Sequence, residues 1–325
     1  MSSAVATQEP AAAPAAPRSS TRKPDKEPHG FKSFEFALMA PALVLLGLLS
    51  WIPFFMLIAM SFSKVKTLGG VELEFTGLDN WTNVLSDSSV WASWGRSLVY
   101  FGSIIALEMA LGFIFAVILH NLLRGRSVML SLVLLPMFLA PVMVGLLGRF
   151  MLDSTIGLYA QLMQLVGVDA DVFARTATAL PAVILIDVWE WTPLVALIML
   201  AGLTSVPPAT LEAASVDGAG FFRRLFSIAL PQMMPVVLVA LLVRSMDAIR
   251  YYDIITATTN GGPADSTKIV PIKLYEMAFR FNNQIGRAAV VGITMLVFSI
   301  ALANVFVKVF GERKAATARL KEDET

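Results

Sequence analysis

LEAASVDGAGFFRRLFSIALPQMMP, residues 211–235, is a polar stretch that lies between two long apolar segments. It carries two acids, two arginines and two glycines, whereas the segments on either side are almost purely apolar. A polar interruption of this length predicts a loop that leaves the apolar surroundings and presents a surface of its own.

Start and stop signals divide this loop into two short helices. Pro207-Pro208 cannot lie inside a helix but suits its first turn, and the residues that follow favour helix. Gly218 predicts the end, because glycine readily adopts the left-handed conformation in which helices commonly end. The pattern predicts one helix over about residues 209–219 and a second over 221–228, with Pro231 opening the next apolar helix.

The composition places the whole chain in a membrane. Of the 325 residues, 56% are hydrophobic and 15% are charged, whereas a soluble domain carries about 25% charged residues. The sequence contains no cysteine, which excludes disulfides and thiol chemistry, and its net charge of +1 gives no indication of nucleic-acid binding. His29 and His120 have no ligand-bearing neighbours in the sequence, so no metal site is expected.

Six segments are long and apolar enough to cross a membrane. A span needs about 20 apolar residues, and a helix satisfies its backbone hydrogen bonds internally. The predicted spans cover residues 36–62, 97–119, 128–150, 180–202, 229–246 and 288–310. We therefore expect an all-α membrane protein with six transmembrane helices and one short cytoplasmic helix.

The predicted six-span domain covers residues 36–312, between two tails. Residues 1–35 are rich in alanine, proline and charge and have no apolar periodicity, so a disordered tail is expected there. Lys and Arg are more frequent in this tail, in 308–325 and in the loops 120–127 and 203–228 than in the opposite loops. This bias predicts that both termini are cytoplasmic.

Prolines interrupt several of these spans. Pro136 and Pro141 lie in the third, Pro193 lies in the fourth, and Pro231 and Pro235 lie at the start of the fifth. In membrane helices such prolines are tolerated where neighbouring groups satisfy the freed carbonyls, and they predict kinks or breaks.

The loop of residues 211–235 resembles a known family motif. The matching positions are Glu212-Ala213-Ala214, Asp217-Gly218-Ala219 and Ile228-x-Leu230-Pro231. They resemble the EAA loop of permease subunits in binding-protein-dependent ABC importers, most closely those of the carbohydrate type. Similar agreement is found at Leu78-Asp79-Asn80-Trp81, at Val188-Trp189 with Thr192-Pro193, and at Thr259-Asn260-Gly261-Gly262-Pro263, so the resemblance covers about residues 35 to 312.

The resemblance implies a type I ABC importer permease in a bacterial plasma membrane. The partners that it implies are a second, non-identical permease chain, two ATPase subunits and an extracytoplasmic solute-binding protein. The residues implied in ATPase coupling are Glu212, Ala213, Ala214, Asp217, Gly218, Ala219, Arg223, Leu230 and Pro231. ATP and Mg are expected on the partner ATPase, because this chain has no phosphate-binding G-x-x-x-x-G-K-[ST] motif and no catalytic site of its own.

Charged and aromatic residues within the spans are candidates for a solute pathway, since ionisable groups in a membrane are costly and usually face inward. The candidates are Glu108, Asp187, Trp189, Glu190, Trp191, Tyr251 and Tyr252. Carboxylates and tryptophan rings together suit a sugar, but the acids can instead pair with an arginine of another helix, and the tryptophans can anchor the membrane interface.

A second charged series alternates in sign at every third residue. It consists of Arg244, Asp247, Arg250 and Asp253. Steps of three drift around a helix, so the series predicts a structural ladder in which neighbours pair, rather than a common face on one pathway. The amphipathic segment 271–286 that follows is predicted on the outer surface, as is the segment 63–96.

Two other functions remain open at this point. A secondary transporter driven by an ion gradient would be expected to show inverted repeats with matching broken helices, and no such symmetry is visible. A membrane scaffold or enzyme lacks support, because there is no nucleophile–base constellation. Within the ABC class, glycerol phosphate or another small solute remains an alternative to a sugar or polyol.

Overall fold

The computed structural model describes residues 29–66, 70–122, 124–167, 171–280 and 284–322, and most of them are helical. The chain divides into two compact units at Phe54 and Phe55. The first α-helices and the two β-strands are α1 (His29–Ser61), β1 (Ser63–Lys66), β2 (Glu72–Phe75), α2 (Asp79–Ser86), α3 (Ser88–Asn121), α4 (Arg126–Leu134), α5 (Pro141–Met151), α6 (Leu158–Leu165) and α7 (Thr176–Ser205). They are followed by α8 (Pro208–Val216), α9 (Phe221–Arg224), α10 (Leu230–Gln232), α11 (Met234–Ala248), α12 (Asp253–Thr258), α13 (Val270–Tyr275) and α14 (Ile285–Glu322).

Four helical segments of the described chain can each cross a membrane unbroken. They are Phe36–Ser61, Ser88–Asn121, Thr176–Ser205 and Ile285–Phe306. Two more spans are bent pairs: Arg126–Phe138 with Pro141–Met151 at 94°, and Phe221–Gln232 with Met234–Ala248 at 70°. The predicted third and fifth spans thus correspond to bent pairs, and the described residues contain six spans only if each pair counts as one.

Prolines account for both bends. Ala140 is extended (φ −69°, ψ 135°), because the proline that follows it, Pro141, disfavours the helical conformation at Ala140. Helix α5 begins at that proline. The second bend lies at Met233, and Pro235 occupies the first turn of α11. The expectation that Pro231 opens the fifth span is wrong, since Pro231 lies in the helical stretch before the bend.

The helices reach further than expected at both ends. α1 begins at His29, so residues 29–35 are helical rather than part of a disordered tail, while residues 1–28 lie outside the described chain. α14 continues to Glu322, so most of the segment 313–325 extends the last helix.

A β-hairpin follows α1 and departs from the all-α expectation. β1 and β2 pair antiparallel in the register Ser63–Phe75. The Asn80 side chain, in the Leu78–Trp81 motif, donates hydrogen bonds to the carbonyls of Ser61 (3.1 Å) and Ser63 (2.9 Å). Asn80 therefore joins the end of α1 to β1, since it satisfies the Ser61 carbonyl that the helix leaves free and also binds the Ser63 carbonyl of the strand.

Residues 271–278, the first half of the segment predicted on the outer surface, are buried or half-buried, whereas Phe279 and Arg280 are exposed. Val270 and Ile272 of α13 are buried, as is Met277 in the π-helical turn Glu276–Arg280 that follows. Apolar side chains from α3 and α14 surround part of this segment, which explains why its amphipathic pattern did not lead to a surface position.

The most extensive contact between two described helices joins α3 and α7, and it depends on small residues. The buried face of α3 repeats at four-residue intervals through Ile104, Glu108, Gly112 and Ala116. A Cβ atom built at Gly112 would lie 2.6 Å from Cγ1 of Val195 on α7. Small residues at this spacing allow membrane helices to approach closely.

Gly112→Val is expected to lower the thermal midpoint of the detergent-solubilised protein. The added side chain must displace Val195 or separate the helices, and overpacking costs about 1–3 kcal/mol. Gly102→Val is the matched control, because Gly102 lies on the same helix and a Cβ there meets no atom within 4 Å. Equal midpoints for the two variants would contradict the close contact.

Candidate functional site

The centre of the second unit holds a buried arginine between two carboxylates from other helices. Arg244 of α11 donates from Nε to Glu108 Oε2 (2.6 Å) and from Nη2 to Glu108 Oε1 (2.8 Å), in a two-point arrangement. Its Nη2 also donates to Asp187 Oδ1 on α7. The side chains of all three residues are at most 1% exposed. One guanidinium thus connects α3, α7 and α11.

Aromatic residues extend this cluster. The Tyr100 hydroxyl donates to Asp187 Oδ2 at 2.6 Å, which occupies the second oxygen of that carboxylate. Trp191 Nε1 donates to the Tyr251 hydroxyl (2.9 Å), and this hydroxyl donates to Glu190 Oε2 (2.9 Å). The guanidinium carbon of Arg244 lies 5.1 Å from the Trp191 ring centre, a cation–π distance.

Within the membrane-spanning part, these contacts act as a clamp, by which we mean that Arg244 holds α3, α7 and α11 together. A buried charge without a partner is very costly, so Arg244 holds its carboxylates in place as much as they hold it. The planar guanidinium suits this task because it can donate to several acceptors in one plane. Glu190 Oε1 is buried and has no hydrogen-bond partner among the described residues, so the cluster retains one free acceptor.

The structure brings most of the predicted pathway residues together but separates two of them. Glu108, Asp187, Glu190, Trp191 and Tyr251 form the cluster. The structure shows the pairing alternative for two of the acids, because Glu108 and Asp187 bind the arginine of another helix.

The two separated residues are aromatic. Trp189 is 51% exposed on the face of α7 that points away from the cluster. It lies near the middle of this helix, so its position does not fit an anchor at the membrane interface. Tyr252 packs on Tyr275 with 5.4 Å between ring centres.

The predicted charge ladder is wrong beyond its first pair. Arg244 contacts Asp247 at 3.2 Å, but its main partners lie on other helices. α11 ends at Ala248, so Arg250 lies past its end and Asp253 begins α12. The regular spacing predicted a single helix, whereas the chain turns after the second member of the series.

Tyr100 is the cluster member that sequence reasoning missed. It lies in an apolar run, and tyrosine in such a run does not stand out as a polar group. A signal was present, since Tyr100 lies eight residues before Glu108 and so shares its helix face.

The predicted short helix forms as α8, and its end has the geometry that its glycine suggested. Gly218 has a φ of +78°, in the left-handed region. The Ala219 amide donates to the Ala214 carbonyl (2.9 Å), and the Gly218 amide donates to the Ser215 carbonyl (3.1 Å). This pair of bonds is a Schellman motif. A Cβ at Gly218 meets no atom within 4 Å, so the backbone angle, and not space, requires glycine.

The two alanines of the motif lie on different sides of α8. Ala214 is buried and Leu211 packs against the apolar cluster formed by α3, α7 and α11. Glu212 and Ala213 are exposed, and Val216 is 88% exposed. One side of α8 is therefore seated on its own domain while the opposite side is uncovered in this chain.

The remaining motif residues continue from this turn. Asp217 is the residue at which α8 ends, and Ala219 supplies the amide that closes the motif. Arg223 is exposed at the end of α9, whereas Leu230 packs against the same apolar cluster as Leu211.

Ion pairs between side chains stabilise the loop between α12 and α13, which lies outside the membrane-spanning helices. Lys268 contacts Asp265 (2.6 Å) and Glu276 (3.0 Å). Burial alone would lower the pKa of Lys268, but these two acids outweigh burial and hold that pKa above its ordinary value. The hydrogen bond from Lys268 in turn lowers the pKa of Asp265. Arg280 donates to the Asn260 side chain (3.1 Å), which fixes the NGGP turn.

These features define the class of protein: a helical membrane component with no catalytic constellation among its described residues and a short helix presented beside the bundle. The family described as "Binding-protein-dependent transport system inner membrane component" matches residues 99–315, and the chain belongs to it. It is a membrane component of an ABC transport system that works with a substrate-binding protein, and it is not an enzyme. A secondary transporter is thereby excluded.

Two curated relatives cover most of the chain. The trehalose/maltose transport system permease protein MalF of Thermococcus litoralis is 34% identical over 73% of this chain and 80% of its own length. The trehalose transport system permease protein SugA of Mycobacterium tuberculosis is 31% identical over 85% of this chain and 88% of its own.

A solved structure shares the fold. The crystal structure of a bacterial ABC transporter involved in the import of the acidic polysaccharide alginate matches with a TM-score of 0.75 at 18% identity, over 86% of this chain and 96% of that chain. At this identity the match supports the fold alone.

Replacement of Arg244 is expected to destabilise the protein strongly. Arg244→Met leaves Glu108 and Asp187 buried without their partner, and breaking a buried ion pair costs about 3–5 kcal/mol. The thermal midpoint of the purified chain in detergent measures the loss. The double variant Arg244→Met with Glu108→Gln is expected to recover part of it. A double variant no more stable than Arg244→Met would argue against the clamp.

Proposed function

We propose that this chain forms half of the pathway of an ATP-driven importer for a neutral sugar or polyol. A second permease chain supplies the other half, two ATPase subunits bind ATP and Mg, and a solute-binding protein delivers the solute. α8 contacts an ATPase subunit, with both termini and α8 on the cytoplasmic side. The observation that carries the substrate proposal is the free acceptor of Glu190 beside Tyr251 and Trp191.

The chemistry of the cluster suits polyhydroxylated solutes. A carboxylate oxygen accepts hydroxyl protons, and aromatic side chains offer apolar surface to C–H groups. Binding sites for small molecules usually combine aromatic walls with a few placed polar groups, as Glu190, Trp191 and Tyr251 do. Because Glu190 is buried in this chain, the solute would reach it only in a conformation that opens the spans.

The charge balance of the cluster argues against an anionic solute. Three carboxylates, from Glu108, Asp187 and Asp247, contact the single Arg244, and Glu190 adds a fourth nearby. The guanidinium of Arg244 is already occupied by Glu108 and Asp187, so the cluster offers an anionic solute no free cation to pair with. This favours a neutral sugar such as trehalose, which is named for two of the relatives, over sn-glycerol-3-phosphate. The latter solute is named for the permease UgpA of Yersinia pestis, which is 29% identical to this chain.

The geometry of α8 supports its proposed coupling role. A helix that transmits motion must be fixed firmly to its own domain and must bind its partner differently in two states. Ala214 and Leu211 fix one side, the Schellman motif fixes the end, and the exposed side with Glu212 and Val216 is available to a partner.

Glu190→Gln is expected to raise the KM for uptake of trehalose or maltose in proteoliposomes that contain the complete transporter. The amide is a weaker acceptor than the carboxylate, and loss of a charge-assisted hydrogen bond reduces affinity by about tenfold. Leu185→Val is the control, because Leu185 is exposed on the same helix. If the two variants have the same KM for both sugars, Glu190 does not contact the solute.

Gly218→Pro and Glu212→Lys are expected to abolish uptake while the protein remains in the membrane. Proline fixes φ near −65° and cannot occupy the left-handed position, and lysine reverses the charge on the exposed side of α8. Gly218→Ala is expected to give an intermediate loss, since the left-handed conformation costs a non-glycine residue about 1–2 kcal/mol.

Gly220→Ala provides the control for these variants. Gly220 lies two residues beyond Gly218, has an ordinary φ of −66° and has open space around it, so alanine fits without strain. Uptake, membrane content and ATP hydrolysis are measured on the same preparations. Wild-type uptake in both Gly218→Pro and Glu212→Lys would refute the coupling role.

A further inference from the structure

A cavity of about 110 Å³ lies between the end of α3 and the loop that carries α8 and α9. His120 and Asn121 line one side, and Arg224 lines the other. Leu211 of α8 and Phe221 of α9 also border it. The cavity is smaller than the roughly 300 Å³ at which pockets for drug-sized ligands begin, so it suits one small polar group rather than a whole solute.

Two nitrogen atoms in the walls of this cavity lack partners. Arg224 Nε and His120 Nδ1 are both buried, and neither makes a hydrogen bond within the described chain. Among the described residues, no acidic side chain lines the cavity. Buried polar atoms in native proteins are nearly always paired, and an arginine without a carboxylate is suited to binding a phosphate. Arg224 therefore offers a donor for an anion that this chain does not supply, and His120 adds a second donor in the tautomer that carries its proton on Nδ1.

The surroundings of the cavity favour a position at the depth of lipid headgroups. Phe222 is 72% exposed and Phe226 is 53% exposed, and their rings stack with 6.4 Å between centres. The stretch Phe221–Gln232 is bent by 70° from α11, so it lies across the direction of that span. A short helix with exposed aromatic residues and neighbouring arginines is typical of a segment that lies in the membrane interface.

We propose that the phosphate group of an anionic lipid of the inner leaflet binds in this cavity, between Arg224 and His120. The bound phosphate would connect the end of α3 to the loop directly beside α8, and so stabilise the position of that helix. The site is separate from the buried charge cluster and from the exposed side of α8, and its assignment to the inner leaflet rests on the proposed orientation.

Lipid retention by the purified transporter tests this site without reference to the transported solute. The complex is exchanged from nanodiscs of mixed phosphatidylglycerol and phosphatidylcholine into detergent, and the retained lipid is measured by native mass spectrometry. The wild type is expected to retain phosphatidylglycerol preferentially. Arg224→Gln is expected to reduce this retention about tenfold, the effect of one charge-assisted hydrogen bond. His120→Phe is expected to reduce it to a smaller extent.

Arg124→Gln is the control, because Arg124 is an exposed arginine of the neighbouring loop, does not line the cavity and is expected to retain the lipid fully. Thermal midpoints of all variants establish that they are folded. Displacement of the lipid by inorganic phosphate, in the wild type only, would assign the site to a free phosphate compound. Equal retention by wild type and Arg224→Gln would overturn the proposal, as would an ATPase carboxylate found in the cavity of the assembled complex.

Discussion

The contact of Arg244 with Glu108 and Asp187 is the interaction on which the rest of the fold depends. It joins α3, α7 and α11 in the apolar interior, where an unpaired charge is very costly. Apolar packing alone specifies the relative position of membrane helices weakly, because lipid is as apolar as the side chains. The fixed donor directions of the guanidinium specify how the three helices are positioned along one another. The close approach at Gly112 specifies the distance between α3 and α7.

The same helices lead directly to α8. α7 ends at Ser205, and α8 begins three residues later, at Pro208. Near that end a Cβ at Gly202 would lie 3.0 Å from Cε of Met233, so α7 packs tightly on the bend before α11. Leu211 and Ala214 seat α8 on this part of the bundle. A displacement of α8 therefore moves the ends of helices that the Arg244 cluster holds together in the interior.

Local signals predicted the parts of the structure that local forces determine. Gly218 ends α8 because the left-handed backbone there belongs to the turn itself, and four spans follow from apolar length alone. The bends at Ala140 and Met233 are also local effects, because prolines cause them, whereas the burial of α13 depends on contacts with the distant helices α3 and α14. The sequence left open that Glu108 and Asp187 pair with an arginine of another helix, but it did not identify Arg244 as that arginine, because a spacing of three residues indicates pairing along one helix.

Cross-linking at α8 tests the central claim most directly, since the chain contains no cysteine and a single one can be introduced. Val216 is 88% exposed on α8, whereas Ala214 is 8% exposed on its opposite side. In the assembled transporter, a short thiol–amine reagent is predicted to join the Val216→Cys variant to an ATPase subunit and to leave Ala214→Cys unlinked. The account is contradicted if the Val216→Cys variant forms no such link, or if its thiol reacts with an impermeant reagent added outside intact cells.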